Sequence, residues 1–292
     1  MEMDGVPIEN EYAEAFPTWV CRVIITAVTE KWAIRAATEA TGFATSAIGC
    51  PCEAGIECAI PANETPDGRP GVAVLFCAGK KKLKEQVVER LAECVLTAPT
   101  TAVFDGLPEA EERVPVKLHF FGDGYEYQKG VGGRKCWVIP IMNGEYVGEE
   151  DFGIVKGVAG GNFFIMGENQ MAALVAAEAA VDAIDKVRGT ICSFPIVASG
   201  SKVGSNKYKF MPASTNEKYC PTLKDKVPDS RVPADANAVY EIVIDGVDEN
   251  AIKEAMSAGI KAAVKVPGIK LISAGNFGGT LGPFKFNLYD IL

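Results

Sequence analysis

The stretch from Ala238 to Gly282 limits the fold more than any other part of this chain. It reads AVYEIVIDG, then VDENAIKEAMSAGIKAAVKVPG, then IKLISAGNFGGTLG. Val239 to Ile244 is almost wholly apolar, which suits a strand covered on both faces. Asp245-Gly246 ends that strand. A helix opens near Asp248 and runs to about Val266, where Pro267-Gly268 breaks it. Ile269 to Ser273 forms the next strand and enters a glycine-rich loop. Within the first strand Glu241 is out of place. The two-residue period of a strand puts it on the same face as Val239 and Val243. Burial there raises a carboxyl pKa and favours the neutral acid, which is useful where an oxyanion develops. A structural ion pair with a Lys or Arg of a neighbouring strand or subunit fits the same residue.

The rest of the chain repeats this grammar. Trp19–Thr29 reads as a strand, Glu30–Ala40 as a helix, Phe43–Cys50 as a strand and Pro51–Gly71 as an irregular stretch. Val72–Ala78 is a strand, Lys81–Leu96 a helix with one apolar stripe, and Val114–Gly122 a fourth strand. A hairpin turning at Asn143-Gly144 follows. Then Asn162–Met166, the alanine-rich Asn169–Val187, and Ile191–Ser199 repeat the order, with a second long irregular stretch at Gly200–Asn237. Pro283–Leu288 adds a last strand. The expected class is α+β: two ferredoxin-like α/β-sandwich lobes, a duplicated βαββαβ pattern with extra hairpin strands. The boundary is placed at residues 1–156 and 157–292.

Composition removes several function classes. The net charge of −9 over 292 residues argues against a broad nucleic-acid surface. No apolar run is long enough to span a bilayer, and the acidic opening MEMDGVPIENEY is unlike a signal peptide. A cytoplasmic protein is expected. Nine cysteines, an odd number, argue against a disulfide framework, and Cys50, Cys52 and Cys58 match no common zinc spacing. The lone histidine, His119, sits in the apolar run VKLHFFG and reads as a satisfied core or interface residue. The basic run Lys80-Lys81-Lys82 reads as a solvated helix face. Nucleotide-binding glycine motifs and a G-x-S-x-G elbow are absent. Two glycine-rich loops remain, Gly157–Phe163 and Ser273–Gly282. Each is either a set of backbone donors for a ligand or a turn or bulge. Cys220 has no base nearby in sequence, which weakens it as a nucleophile.

The segments EAGIEC, ETPDGRPGV, FFGDGY, GVAGGNF, ASTNEKYCPT, VYEIVIDG and ISAGNFGG occur in that order. Together they resemble the formylmethanofuran:tetrahydromethanopterin formyltransferase family, from Ala13 to Leu288. The chain is shorter than that family around Gly79-Lys80 and after Ala110, where the family carries acidic insertions. The resemblance implies reversible formyl transfer between methanofuran and tetrahydromethanopterin as substrates, with no prosthetic group and no metal. It implies a homo-oligomer, commonly a tetramer built as a dimer of dimers, with clefts near subunit contacts and no membrane partner. The family's proposed catalytic acid lies in VYEIV and falls here on Glu241. Asn276, Phe277 and Gly278 are expected beside the formyl centre, with Ser214, Thr215, Asn216, Tyr219 and Cys220 lining the cleft. Glu53, Asp67 and Arg69 are expected from the other lobe or a neighbouring subunit, and Arg69 and Lys202 as charge partners for anionic carriers. Two alternatives stand beside this reading: a subunit of a bacterial-type formyltransferase/hydrolase complex, and a non-catalytic pterin-binding protein.

Overall fold

The computed structural model describes residues 1–292. Its chain divides into two compact units. One comprises Thr18–Thr45 and Pro51–Gly157 (the N lobe); the other comprises Met1–Pro17, Ser46–Cys50 and Val158–Leu292 (the C lobe).

In the N lobe, β1 (Tyr12–Thr26) contributes its residues from Thr18 onward. It is followed by α1 (Glu30–Thr41), β2 (Glu53–Ile60), β3 (Gly71–Ala78), α2 (Lys80–Arg90) and β4 (Ala102–Asp105). The strand order is β2-β3-β1-β4, antiparallel throughout. Alternation decides which face each side chain joins. Cys21, Val23, Ile25, Val72, Val74 and Phe76 turn to the helices, where they meet Ala33, Ala36, Ala37, Leu83 and Val87. Ile24, Ala102 and Phe104 turn the other way and pack on Val131, Cys136 and Val147. These last residues come from a meander of β6 (Tyr127–Val131), β7 (Arg134–Ile141) and β8 (Gly144–Gly148), preceded by β5 (Glu112–Pro115). The β7–β8 hairpin turns where Asn143-Gly144 predicts it, with Gly144 at φ +122°.

Three expected elements of this lobe differ. Phe43–Cys50 is not a strand: Phe43 is 91% exposed with φ +55°, and Gly49 also has positive φ. The strand lies instead at Glu53–Ile60, inside the stretch read as irregular. Its polar residue Glu57 hid it, yet Glu57 is buried because the Arg22 guanidinium donates to both its oxygens at 2.6 and 2.8 Å. The expected strand Val114–Gly122 ends at Pro115, and Leu118–Gly122 is a 3-10 turn. The short run Ala102–Asp105 takes the place beside β1 instead, and its other edge pairs in parallel with β8, so the sheet continues into the meander. His119 stacks on Trp137 at 4.3 Å, but its Nδ1 has no hydrogen-bond partner, so it is buried without being fully satisfied.

The C lobe takes β9 (Asp151–Gly167) from Val158 onward, then α3 (Gln170–Ile184) and β10 (Thr190–Ile191). A small hairpin follows, β11 (Lys202–Val203) with β12 (Ala213–Ser214). Then come β13 (Ala238–Gly246), α4 (Glu249–Ala263), β14 (Ile269–Ser273), β15 (Phe284–Asn287) and α5 (Leu288–Ile291). The order β10-β13-β9-β14, again antiparallel, repeats that of the N lobe. Asn169 and Asp248 cap α3 and α4 by accepting from the amides of Ala172 and Ala251, both at 2.9 Å. Ala176, Ala177, Ala180, Ala255 and Ala263 let the two helices lie close on Phe163, Ile165, Ile242 and Ile244. The strand expected over Ile191–Ser199 is cut short. Only Thr190–Ile191 pairs continuously, and Val197 returns as a single bridge to Glu241.

Candidate active site

On β13, Ile242 and Ile244 face the helices, so Glu241, Val243 and Asp245 face away from them. Pairing places Glu241 opposite Phe164 on one side and Val197 on the other, and Phe164 opposite Ser273. A row therefore crosses the sheet: Val197, Glu241, Phe164, Ser273. Neighbours in such a row stand about 5 Å apart.

Glu241 is half-buried, and its carboxyl receives no hydrogen bond and faces no cation in the chain. Burial pushes its pKa up to about 7, with nothing to offset it. Near neutral pH it exchanges a proton readily, so it can serve as both donor and acceptor. Asp245, four residues along the same strand face, is fully buried. Its Oδ1 accepts from the amide of Gly160 at 3.0 Å, while Oδ2 has no partner. Burial raises its pKa against the pull of that amide. Gly160, at φ +90°, sits in a bulge of β9, which makes Gly157–Phe163 a bulge clamped by a carboxyl and not a free loop.

The stretch after Val197 covers this face. Tyr219 lies 4.3 Å from the Phe164 ring, and Val232 and Ala236 pack beside Phe164 and Met166. Burial raises the Tyr219 pKa, with Arg231 and the Ser273 hydroxyl acting against Glu9 and Glu11. Ser273 donates to Glu9 Oε2 at 2.5 Å, and Arg231 pairs with Glu9 and Glu11. Thr215 and Cys220 touch through Oγ1 and Sγ at 3.3 Å, and Cys220 donates to the carbonyl of Asn216. Ser214 donates to the carbonyl of Gly204, and Lys202 is bonded to Glu217. Of the expected cleft residues, Tyr219 meets the row, on the Phe164 ring beside Glu241.

The loop Asn276–Gly282 departs from Ser273, the end of the row. Asn276 turns its amide nitrogen inward, donating to Glu11 Oε1 at 2.9 Å and to the carbonyl of Tyr12 at 3.2 Å. The backbone donors of this glycine-rich loop are turned inward as well. The amides of Phe277 and Gly279 donate to Glu14 Oε2 at 2.7 and 2.8 Å. Those of Leu281 and Gly282 donate to Glu14 Oε1, both at 2.6 Å. A carboxylate of the chain itself fills this nest, which the sequence left open as a ligand site or a turn.

Glu53, Asp67 and Arg69 belong to the N lobe. Arg69 donates from Nε to Asp67 Oδ2 at 2.7 Å, and from its terminal nitrogens to the Thr100 carbonyl at 2.6 Å and to Thr26 Oγ1 at 3.1 Å. Thr26 in turn donates to Asp67 Oδ2 at 2.7 Å. Glu53 opens β2, opposite Cys77 of β3. No group of three or more His, Cys, Asp or Glu side chains is arranged to hold a metal ion. Sequence reasoning missed Glu14, Ser273 and Phe164. Their signal was faint: a Glu between two alanines, a Ser ending a strand and one Phe in an apolar run.

Comparison with known proteins agrees with this geometry. Residues 1–141 match the family described as formylmethanofuran-tetrahydromethanopterin formyltransferase, and residues 144–291 match its proximal lobe. Relatives named formylmethanofuran–tetrahydromethanopterin formyltransferase include one from Methanosarcina acetivorans, 62% identical, and one from Methanothermobacter thermautotrophicus, 60% identical. Each alignment covers all of both chains. The solved structure of the Methanosarcina barkeri formyltransferase superposes with a TM-score of 0.97 at 60% identity, covering all of both chains. A chain from the Methylorubrum extorquens formyltransferase/hydrolase complex, solved with methylofuran, gives 0.95 at 40% identity, covering all of this chain and 98% of that one. The chain belongs to the formylmethanofuran–tetrahydromethanopterin formyltransferase family.

Proposed function

We propose that this protein moves a formyl group reversibly between formylmethanofuran and tetrahydromethanopterin, with Glu241 as its acid and proton relay. The observation that carries the assignment of Glu241 is its setting: half-buried, free of any partner and with a pKa near 7. A structural ion pair is the competing account, and no Lys or Arg faces the carboxyl.

The chemistry needs such a group. The nitrogen of tetrahydromethanopterin attacks the formamide carbon, a C–N bond forms and the carbonyl becomes a tetrahedral oxyanion. Neutral Glu241 donates to the developing charge and protonates the departing methanofuran nitrogen as its C–N bond breaks. The carboxylate then takes the proton lost by the attacking nitrogen, which restores the acid. Holding both carriers together supplies much of the remaining rate. One donor of this kind is worth roughly 3 kcal/mol.

Tyr219, Asn276, Phe277 and Gly278 are proposed to border the transferring group, with Ser214, Thr215, Asn216 and Cys220 further along the covering stretch. Arg69 and Lys202 already hold partners within the chain, so an anionic carrier would have to compete with Asp67 and Glu217 for them. Exposed Phe120, Phe121, Tyr125 and Met142 of the N lobe support a homo-oligomer that covers them, and a tetramer is the proposed state. Cys21, Cys94, Cys136, Cys192 and Cys220 carry free thiols, which suits a reducing cytoplasm.

The test is formyl transfer by wild type and Glu241→Gln. Gln keeps the shape but relays no proton. A drop in kcat of about a hundredfold, with both carriers still bound, is expected. A variant within about threefold of wild type would discard Glu241 as the acid. A wild type that binds the carriers without turnover would favour a binding protein.

A further inference from the structure

The most unusual polar group outside the Glu241 row is Glu14. It lies on the part of β1 that belongs to the C lobe, between the core residues Ala13 and Ala15, and is 1% exposed. A buried carboxylate normally needs a cation. This one has none. Its two oxygens accept instead from four backbone amides, those of Phe277, Gly279, Leu281 and Gly282, at 2.6 to 2.8 Å. Burial pushes its pKa up, the four amides pull it down, and the amides win, so it stays charged.

The loop is shaped for this. Gly278 and Gly279 both have positive φ, which folds successive amides toward one point. Gly282 passes so close to β1 that a Cβ would stand 2.3 Å from the carbonyl of Ala15. Upstream, Gly275 lies against Phe164, the neighbour of Glu241 in the row, where a Cβ would meet the ring at 3.0 Å. Glu14 thus fixes a loop whose near end rests on the candidate acid's neighbour. With its amides turned inward, the loop offers its side chains to the outside: Leu281 is 55% exposed, and Phe277 is half-buried beside Phe16, 6.0 Å between ring centres.

We propose that Glu14 is a positioning residue: its carboxylate acts as a built-in anion that pins loop 277–282, so that the loop meets a bound carrier with the apolar surface of Phe277 and Leu281 and offers it no anion-binding amides. The inference deepens the reading of the Glu241 row as the transfer site and rests on it. Glu14 itself touches no substrate.

The experiment compares assembled wild type with Glu14→Gln and Glu14→Ala. In Glu14→Gln an NH₂ group faces two amide donors. Hydrogen exchange at the four loop amides is expected to quicken by about a hundredfold or more, with α3 and α4 unchanged. KM for one carrier is expected to rise about tenfold, with kcat within about threefold. In Glu14→Ala the four amides surround a vacant anion site, so acetate, and not chloride at equal ionic strength, should restore both slow exchange and low KM while leaving wild type unaffected. Rescue of that kind requires an anion in this position and is not expected of a side chain that only fills space.

Unchanged exchange in Glu14→Gln would overturn the pin. Freed amides with unchanged KM and kcat would overturn the link to the site. If Glu14→Ala does not fold, Glu14→Gln decides by the same two readings. Exchange speaks to the pin whether or not transfer occurs here, whereas loss of turnover in Glu241→Gln speaks to the site, so the two ideas fail separately.

Discussion

The two lobes are the same topology with opposite content in one row. In each, the strand before the first helix carries a residue five positions ahead of the helix cap: Ile24 before Thr29 in the N lobe, Phe164 before Asn169 in the C lobe. Ile24 pairs with Ala73 and Phe104, and Cys58 pairs with Ala73. Phe164 pairs with Glu241 and Ser273, and Val197 pairs with Glu241. The N lobe therefore reads Cys58, Ala73, Ile24, Phe104 where the C lobe reads Val197, Glu241, Phe164, Ser273. What covers each row differs as well. The N lobe continues its sheet past Phe104, through the parallel β4–β8 pair, into a regular meander whose Val131, Cys136 and Val147 pack with Ile24 and Phe104. The C lobe covers its row with the irregular stretch that carries Tyr219 and Val232. A regular layer buries apolar side chains densely and leaves a carboxyl no exit. An irregular one leaves Glu241 half-buried, dry enough to shift its pKa and open enough to meet a ligand.

The most disruptive way to break the comparison is to write the C-lobe residue into the N lobe. Ala73 is 2% exposed in an apolar row. Ala73→Glu places an unpaired carboxyl there and overfills the space. A loss of roughly 3–5 kcal/mol is expected, seen as a lower denaturant midpoint. Ala73→Leu, which adds volume without charge, is the control, with an expected cost of about 1–3 kcal/mol. If both variants lose the same stability, polarity is not what distinguishes the rows.

The next test works on the C lobe alone. Glu241 titrates near 7 in the fold and near 4.3 in an unfolded chain. Between those values the native state holds a proton that the unfolded state has lost, so stability falls as pH rises from about 4.3 to about 7 and levels off above. The group accounts for at most roughly 4 kcal/mol of that fall, and Asp245, also raised, acts in the same direction. Glu241→Met is expected to flatten part of the slope and to gain about 1–2 kcal/mol at pH 8, while abolishing transfer. In wild type, kcat/KM is expected to fall as pH rises through about 7, as the acid form is lost. An unchanged pH–stability slope in Glu241→Met would mean that the carboxyl is not desolvated.

Much of this was legible in the residues, and what was hidden has a common cause. The βαββαβ repeat showed in the alternation of apolar strands and helical stripes. Glu241 showed because one charge interrupts an otherwise apolar strand. Glu57 had the opposite effect: paired with Arg22 across the sheet, it made a strand look like a loop. Glu14 gave no warning, because Ala13-Glu14-Ala15 is the ordinary alternation of a strand with one wet face. Its partners are backbone amides 263 to 268 residues further along, and amides leave no mark on a sequence. The Ser273–Gly282 loop was recognised as a cluster of backbone donors, but which anion they serve depends on a tertiary contact.

The smallest expected effect sharpens the comparison at the end of the row. The N lobe ends in the Phe104 ring; the C lobe ends in the Ser273 hydroxyl, with the ring supplied from above by Tyr219. If the ring is what the position needs, Tyr219→Phe keeps the packing on Phe164 and removes only the phenol's contact with Ser273. A loss of about 1 kcal/mol or less is expected, with KM and kcat within about threefold of wild type. Tyr219→Ala removes the cover itself. It should raise KM more than its phenylalanine counterpart, and it should lower the pKa read from the kcat/KM profile, because water then reaches the carboxyl beside Phe164. A Tyr219→Phe variant as impaired as Tyr219→Ala would show that the hydroxyl, and not the ring, is what the C lobe gained when its row opened.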